Sequence, residues 1–135
     1  MKWLTIGFVV FIVAVVILAD TGNGEWMFRL IGMVPGGDKT GHFVLVGTLA
    51  LLVNLSLKAR RVEIGRWKVL LGSAVIAAVF TVEEFSQLLF ETRGFSLLDL
   101  SANYIGILVF GWVAARWVER QQAPAAILQA NDRAD

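Results

Sequence analysis

The chain has 135 residues, 57% of them hydrophobic and 17% charged, with a formal net charge of +1. A water-soluble domain of this size exposes too large a share of its surface to hide that apolar content. The apolar residues also come in long runs rather than as a narrow helical stripe, so lipid is the expected solvent. Cysteine is absent, which excludes disulfides and thiolate metal sites, and basic residues outside the loops are too few to suit nucleic acid.

Four hydrophobic segments follow along the chain. The first, Trp3 to Ala19, is uncharged. Cleavage of a secretory leader after Ala19 would need a small residue where Ile17 stands, so the segment reads as a retained helix. The loop that follows contains Glu25-Trp26-Met27-Phe28-Arg29-Leu30-Ile31, too short to cross. Its composition suits either a short interfacial helix over the mouth of a bundle or an apolar loop folded onto the helix ends. Pro35-Gly36-Gly37 then breaks the chain.

The second segment runs from about His42 to Leu57. It would span only ~24 Å, so His42 belongs near an interface or the bilayer must thin around it. The third, Trp67 to Phe90, and the fourth, Leu97 to Trp117, are long enough to cross with some tilt. Ser96 and Asp99 form the Ser-x-x-acid pattern of a helix start. The expected fold is an all-α membrane protein, a four-transmembrane-helix bundle over 1–120 followed by a polar cytoplasmic tail over 121–135.

Orientation follows from the basic residues. Lys58, Arg60, Arg61, Arg66 and Lys68 crowd the loop between the second and third segments against a single acid, Glu63. Lys2, Arg116, Arg120 and Arg133 lie at the termini, whereas the other two loops hold Arg29, Lys39 and Arg93 with acids beside them. Both termini are therefore expected in the cytoplasm. Asp38, Lys39, His42, Glu84, Gln87, Arg93, Asp99 and Asn103 then fall at one extracytoplasmic level.

Polar groups in apolar spans are costly unless they face one another or a wet cavity, so these residues mark a site. Asp38 and His42, and likewise Asp99 and Asn103, are spaced to share a helix face. Gly106 continues the latter face, and Ala102-x-x-x-Gly106 suits close helix contact. Glu84 and Gln87 also share a face, with Glu83 turned about 100° away and not expected to reach the same partner. Lys39, Arg93 or protonated His42 beside Glu84 would offset the cost of burying a charge. Each residue has a structural reading too: Asp99 as the acid of a capping box, Asp38 at a helix N-terminus, Lys39 snorkelling, Arg93 in a solvated turn. Asn54 reads as a helix–helix hydrogen bonder.

Asp38-Lys39-x-x-His42-Phe43, Glu84-x-x-Gln87, Arg93-Gly94-Phe95-Ser96, Asp99 and Asn103-x-x-Gly106 together resemble the ordered motifs of VanZ-like membrane proteins. The resemblance covers roughly residues 38–111. It departs at Leu88 to Thr92, where such proteins often carry a proline-bearing turn. It implies a multi-pass protein of the bacterial plasma membrane and cell envelope. The name-giving member is associated with resistance to the lipoglycopeptide teicoplanin, so antibiotic (glycopeptide) resistance is implied by the resemblance and not by the residues.

Three function classes fit. A binding module would hold an amphiphilic envelope molecule, a lipid-linked cell-wall precursor or a lipoglycopeptide, through Lys39, His42 and Arg93, with Glu84, Gln87 and Asn103 beneath. An enzyme acting on a lipid or phospholipid headgroup would use His42 as general base, oriented by Asp38 or Asp99, with Glu84 a further catalytic candidate and Arg93 on phosphate. No Ser, Cys or Thr nucleophile belongs to the clusters, and one His gives little basis for a metal. A polar clasp would lock the bundle for a partner that carries the activity. No cofactor or nucleic acid is expected; membrane lipids are the expected surroundings, and a homo-oligomer is compatible. A transporter finds no inverted repeat to build on.

Overall fold

The computed structural model describes residues 2–20, 29, 33, 36–89 and 95–131, with backbone alone for 2, 18–20, 38 and 124–131. Four helices carry the fold: α1 (Lys2–Asp20), α2 (Gly37–Ser56), α3 (Leu71–Ser86), which ends in a 3-10 turn (Gln87–Leu89), and α4 (Leu97–Asn131). A hairpin of β1 (Arg61–Ile64) and β2 (Trp67–Leu70) joins α2 to α3. The apolar stretches in α2, α3 with its 3-10 turn, and α4 are long enough to cross a membrane, while α1 carries a shorter one, Trp3–Ile17. Apart from Arg29, the 25–31 segment read as interfacial lies outside the described residues.

Side-chain contacts fix the direction of each helix. Lys39 pairs with Asp99, and His42 with Asn103, so α2 and α4 run parallel. Thr5 meets Ser56 at 2.8 Å, and Asn54 donates to Ser73 Oγ at 2.9 Å, so α1 and α3 run the other way. The bundle therefore alternates in direction, with the chain start and the hairpin at one end and the polar residues at the other.

The usual distribution of side chains is inverted. Glu84, Asn54 and Asn103 are the largest fully buried side chains among the described residues, while Val79, Val82, Phe85, Leu108, Val109 and Trp112 are exposed. A surface this apolar is one that lipid accommodates and water does not. The apolar core is small: Ile12 of α1, Val46, Leu49 and Ala50 of α2, Ile76 and Phe80 of α3, and Ile107 of α4. Close helix approach supplements it. A Cβ on Gly106 would stand 2.5 Å from the Phe43 carbonyl oxygen, and one on Gly72 2.5 Å from Asn54 Oδ1. Asn54 is thus the interhelical bonder its position suggested.

Three expected boundaries need correction. The second span does not begin at His42. Gly36, left-handed at φ 72°, lets α2 start at Gly37, and 20 residues span about 30 Å without local thinning. The third helix starts at Leu71 rather than Trp67, because Trp67–Leu70 pairs with Arg61–Ile64 around Gly65 at φ 64°. Positive φ at the first of two turn residues alone is the type II′ pattern, which favours glycine there. The fourth helix continues past Trp117, and the tail from Gln121 to Asn131 is helical with it.

The end of α2 carries measurable strain. Ala59 N–H donates to Asn54 O at 2.7 Å and Lys58 N–H to Leu55 O at 3.0 Å, the paired bonds of a Schellman motif. Its left-handed position is held by Lys58 (φ 52°) rather than glycine, and Ala59 follows at φ 53°. An L-residue there costs roughly 1–2 kcal/mol, part of which a glycine returns to the unfolded chain as entropy. Lys58 is exposed, so Lys58→Gly is expected to stabilise the protein by about 0.5 kcal/mol. Thermal unfolding in detergent measures this, and a lower midpoint would contradict it.

Candidate functional site

The polar end is assembled by three helix termini. The first turns of α2 and α4 lie side by side because the helices run parallel, and the last turn of α3 reaches them from the opposite direction. Along α2 and α4 the pairs form a ladder, one rung per helical turn. On the first rung Lys39 Nζ lies 3.4 Å from Asp99 Oδ1, with the lysine side chain 44% exposed and the aspartate 12%. On the second, His42 Nδ1 donates to Asn103 Oδ1 at 3.1 Å. Below them Gly106 seats against the Phe43 carbonyl, and the Phe43 and Phe110 rings meet edge to face at 5.6 Å. No polar side chain is needed at that depth.

Glu84 joins α3 to this ladder, with none of its surface exposed. Its Oε1 accepts the Ser96 backbone N–H at 2.8 Å, and its Oε2 accepts from Gln87 Nε2 at 3.3 Å. The Phe85 and Phe95 rings stack at 5.2 Å alongside. Thr81 spends its proton on Ala77 O, so Tyr104 O–H donates to Thr81 Oγ1 at 2.7 Å and adds a second tie between α3 and α4.

The helix start read at Ser96 is present in half. Asp99 N–H donates to Ser96 Oγ at 3.3 Å, and Leu100 N–H to Ser96 O at 3.0 Å. In a full capping box the acid three residues on would return to the Ser96 N–H. Here Glu84 takes that N–H from another helix. The exchange leaves the Asp99 carboxylate facing Lys39, while its backbone N–H is the one that Ser96 Oγ caps.

One spatial expectation fails. Glu83 and Glu84 do reach a common partner, since Gln87 Nε2 donates to Glu83 Oε1 at 3.0 Å as well as to Glu84. Gln87 stands four residues after one and three after the other, and both spacings place neighbours together on a helix.

Of the eight residues expected at the site, Lys39, His42, Glu84, Gln87, Asp99 and Asn103 are brought together. Asp38 lies in the first turn of α2 with its side chain outside the described residues, and Arg93 lies outside them altogether. The Ser96 N–H, Thr81 and Tyr104 adjoin the cluster with no expectation from the sequence, and Glu83, expected to look elsewhere, joins it through Gln87. A backbone N–H leaves no sequence signal of its own. Among the described residues no three His, Asp or Glu side chains converge to hold a metal ion.

Hydrogen-bond capacity remains in the cluster. Asn103 is 1% exposed, and its Nδ2 has no hydrogen-bond partner among the described residues. Asp99 Oδ1 makes its ion pair without a directed hydrogen bond. Because Asn103 Oδ1 accepts, the His42 proton is held on Nδ1, and in the neutral ring the lone pair lies on Nε2. His42 and Asp99 both stand within electrostatic range of Glu84. A cation, an amide donor and an imidazole lie together where the first turns of α2 and α4 meet. No protein-family profile, curated protein or solved structure matches the chain, so its functional reading rests on this geometry and on its sequence motifs.

Proposed function

We propose that this chain is an integral protein of a bacterial plasma membrane, crossing it four times with both termini in the cytoplasm. Its extracytoplasmic polar site binds or handles the charged headgroup of an amphiphilic envelope molecule, a lipid-linked cell-wall precursor or a lipoglycopeptide such as teicoplanin. The distance between the two ends supports the membrane placement. From Asp99 to Glu119, which pair with Lys39 and Arg61 respectively, α4 rises about 30 Å, the thickness of the hydrocarbon layer. The basic hairpin at one end supports the orientation. The motif order supports the VanZ-like resemblance, from which alone a link to glycopeptide resistance follows.

The observation that carries the binding reading is the buried, unpartnered Asn103 Nδ2 beside His42 and beneath half-exposed Lys39. A buried donor without an acceptor costs roughly 1–3 kcal/mol. An anionic ligand oxygen would satisfy it, and Lys39 exchanging Asp99 for that anion opens the way. Lys39, His42 and Asn103 thus face the ligand, while Glu84 and Gln87 form the clasp that holds α3 against α4. The structural reading survives within this one, as the role of those two residues.

The test is binding of a polyprenyl diphosphate, and separately of teicoplanin, to the full chain in lipid nanodiscs. Lys39→Ala is expected to weaken the diphosphate lipid about fivefold, the effect of one interfacial charge. His42→Gln preserves size and removes the imidazole. Wild-type affinity in both variants for both ligands would sink the proposal. Headgroup cleavage by the wild type that His42→Gln abolishes would replace it with the enzyme reading.

A further inference from the structure

The hairpin between α2 and α3 is amphipathic, and its register fixes the faces. Arg61 stands opposite Leu70, Val62 opposite Val69, Glu63 opposite Lys68, and Ile64 opposite Trp67. Side chains alternate across a strand, so Arg61, Glu63, Lys68 and Leu70 share one face and Val62, Ile64, Trp67 and Val69 the other. The first face turns to α4: Arg61 pairs with Glu119 at 3.4 Å, and Leu70 Cδ1 lies beside Gly111. The apolar face therefore looks away from α4. Towards the turn it is bare, with Ile64 56% and Trp67 71% exposed.

A basic shell surrounds that apolar tip. Lys58, Arg60 and Arg66 are exposed, and among the described residues no acid pairs with them. The single acid of the hairpin, Glu63, is taken by Lys68 at 3.4 Å. Other aromatics mark the same level of the bundle. Trp3 and Trp117 are 85% and 59% exposed at this end, and Arg116 lies over the Trp112 ring at 5.6 Å. Tryptophans with cations beside them are characteristic of the boundary between headgroups and acyl chains.

We propose that the hairpin is a docking element for anionic phospholipid headgroups in the leaflet at its own end of the bundle. Ile64 and Trp67 enter the acyl boundary, and Lys58, Arg60 and Arg66 meet the phosphates. An acidic protein would match the charges but would leave the apolar tip at membrane level uncovered. Lipid matches both. The site is separate from the Lys39–Asn103 cluster, and it holds whichever way the protein faces.

The absence of native cysteine makes the test direct. A nitroxide is attached at Ile64→Cys, at Trp67→Cys on the same face, and at Glu63→Cys on the other. The full chain is reconstituted in vesicles of phosphatidylcholine alone or mixed equally with phosphatidylglycerol. With phosphatidylglycerol present, labels at 64 and 67 are expected to collide with oxygen and be shielded from a water-soluble nickel chelate, and the label at 63 the reverse. Arg60→Gln and Arg66→Gln should each lower the docked-to-undocked ratio about fivefold. The proposal is overturned if labels on both faces are equally open to the chelate. It is also overturned if labels at 64 and 67 are shielded from both reagents, which would mean a protein surface covers them. Insertion indifferent to phosphatidylglycerol and to both arginines would remove the headgroup recognition and with it the proposal.

Discussion

Glu84→Ala is expected to destabilise the bundle by about 2–3 kcal/mol and to loosen α3 from α4 before the other contacts fail. The substitution removes the acceptor of the Ser96 N–H and one of two acceptors of Gln87 Nε2, and it leaves a void in a fully buried position. An interhelical hydrogen bond inside a membrane contributes on average ~0.6 kcal/mol and at most ~1.7. The Ser96 bond belongs at the upper end, since α4 loses a helix-starting N–H bond that Asp99 can replace only by leaving Lys39. The orphaned N–H and the vacated volume supply the remainder. Glu84→Gln separates the contributions. Its amide oxygen can still cap Ser96, but its NH2 then opposes the Gln87 NH2, so a loss of about 1 kcal/mol is expected. Reversible unfolding in mixed micelles reads both variants. Equal stability of wild type and Glu84→Ala would mean that the clasp is not made.

That contact also shows where the sequence stops being legible. The segments, their alternating direction and the convergence of six polar residues at one end follow from hydropathy, charge bias and helical spacing, because each is a property of one helix and its depth. The hairpin was legible in principle: Arg61-Val62-Glu63-Ile64 and Trp67-Lys68-Val69-Leu70 each carry strand-like alternation about a two-residue turn. Hydropathy nonetheless extends the run of α3 back through Trp67, because apolar content there outweighs period. The choice of partner within the cluster was not legible. Whether Asp99 or Glu84 caps Ser96 depends on how closely α3 approaches α4, a tertiary distance with no local sequence signature. Gln87 is the exception: standing four residues after Glu83 and three after Glu84, it can meet both although the two point about 100° apart.

Gly106→Val is expected to be at least as damaging, about 3 kcal/mol, and for a different reason. At Gly106 the obstacle is backbone: a Cβ would stand 2.5 Å from the Phe43 carbonyl oxygen and 3.3 Å from the Gly47 nitrogen. Neither can rotate away, so α2 and α4 must separate, and overpacking of this kind costs roughly 1–3 kcal/mol or more. The separation would also open both rungs above, Lys39–Asp99 and His42–Asn103, so the proposed headgroup binding should fall together with stability. Two glycines of α2 set the scale. At Gly47 the three atoms nearest a Cβ all belong to the Phe110 ring, the first at 2.6 Å, and a side chain can shift, so Gly47→Ala is expected to lose about 1 kcal/mol. Gly41 has nothing within 4 Å of a Cβ, and alanine there should raise stability by up to ~1 kcal/mol through helix propensity alone. Unfolding midpoints of the three variants should therefore order as Gly41→Ala, Gly47→Ala, Gly106→Val, from highest to lowest. If Gly106→Val keeps both stability and binding, α2 and α4 do not meet at this crossing, and the parallel ladder that positions His42 against Asn103 has no support beneath it.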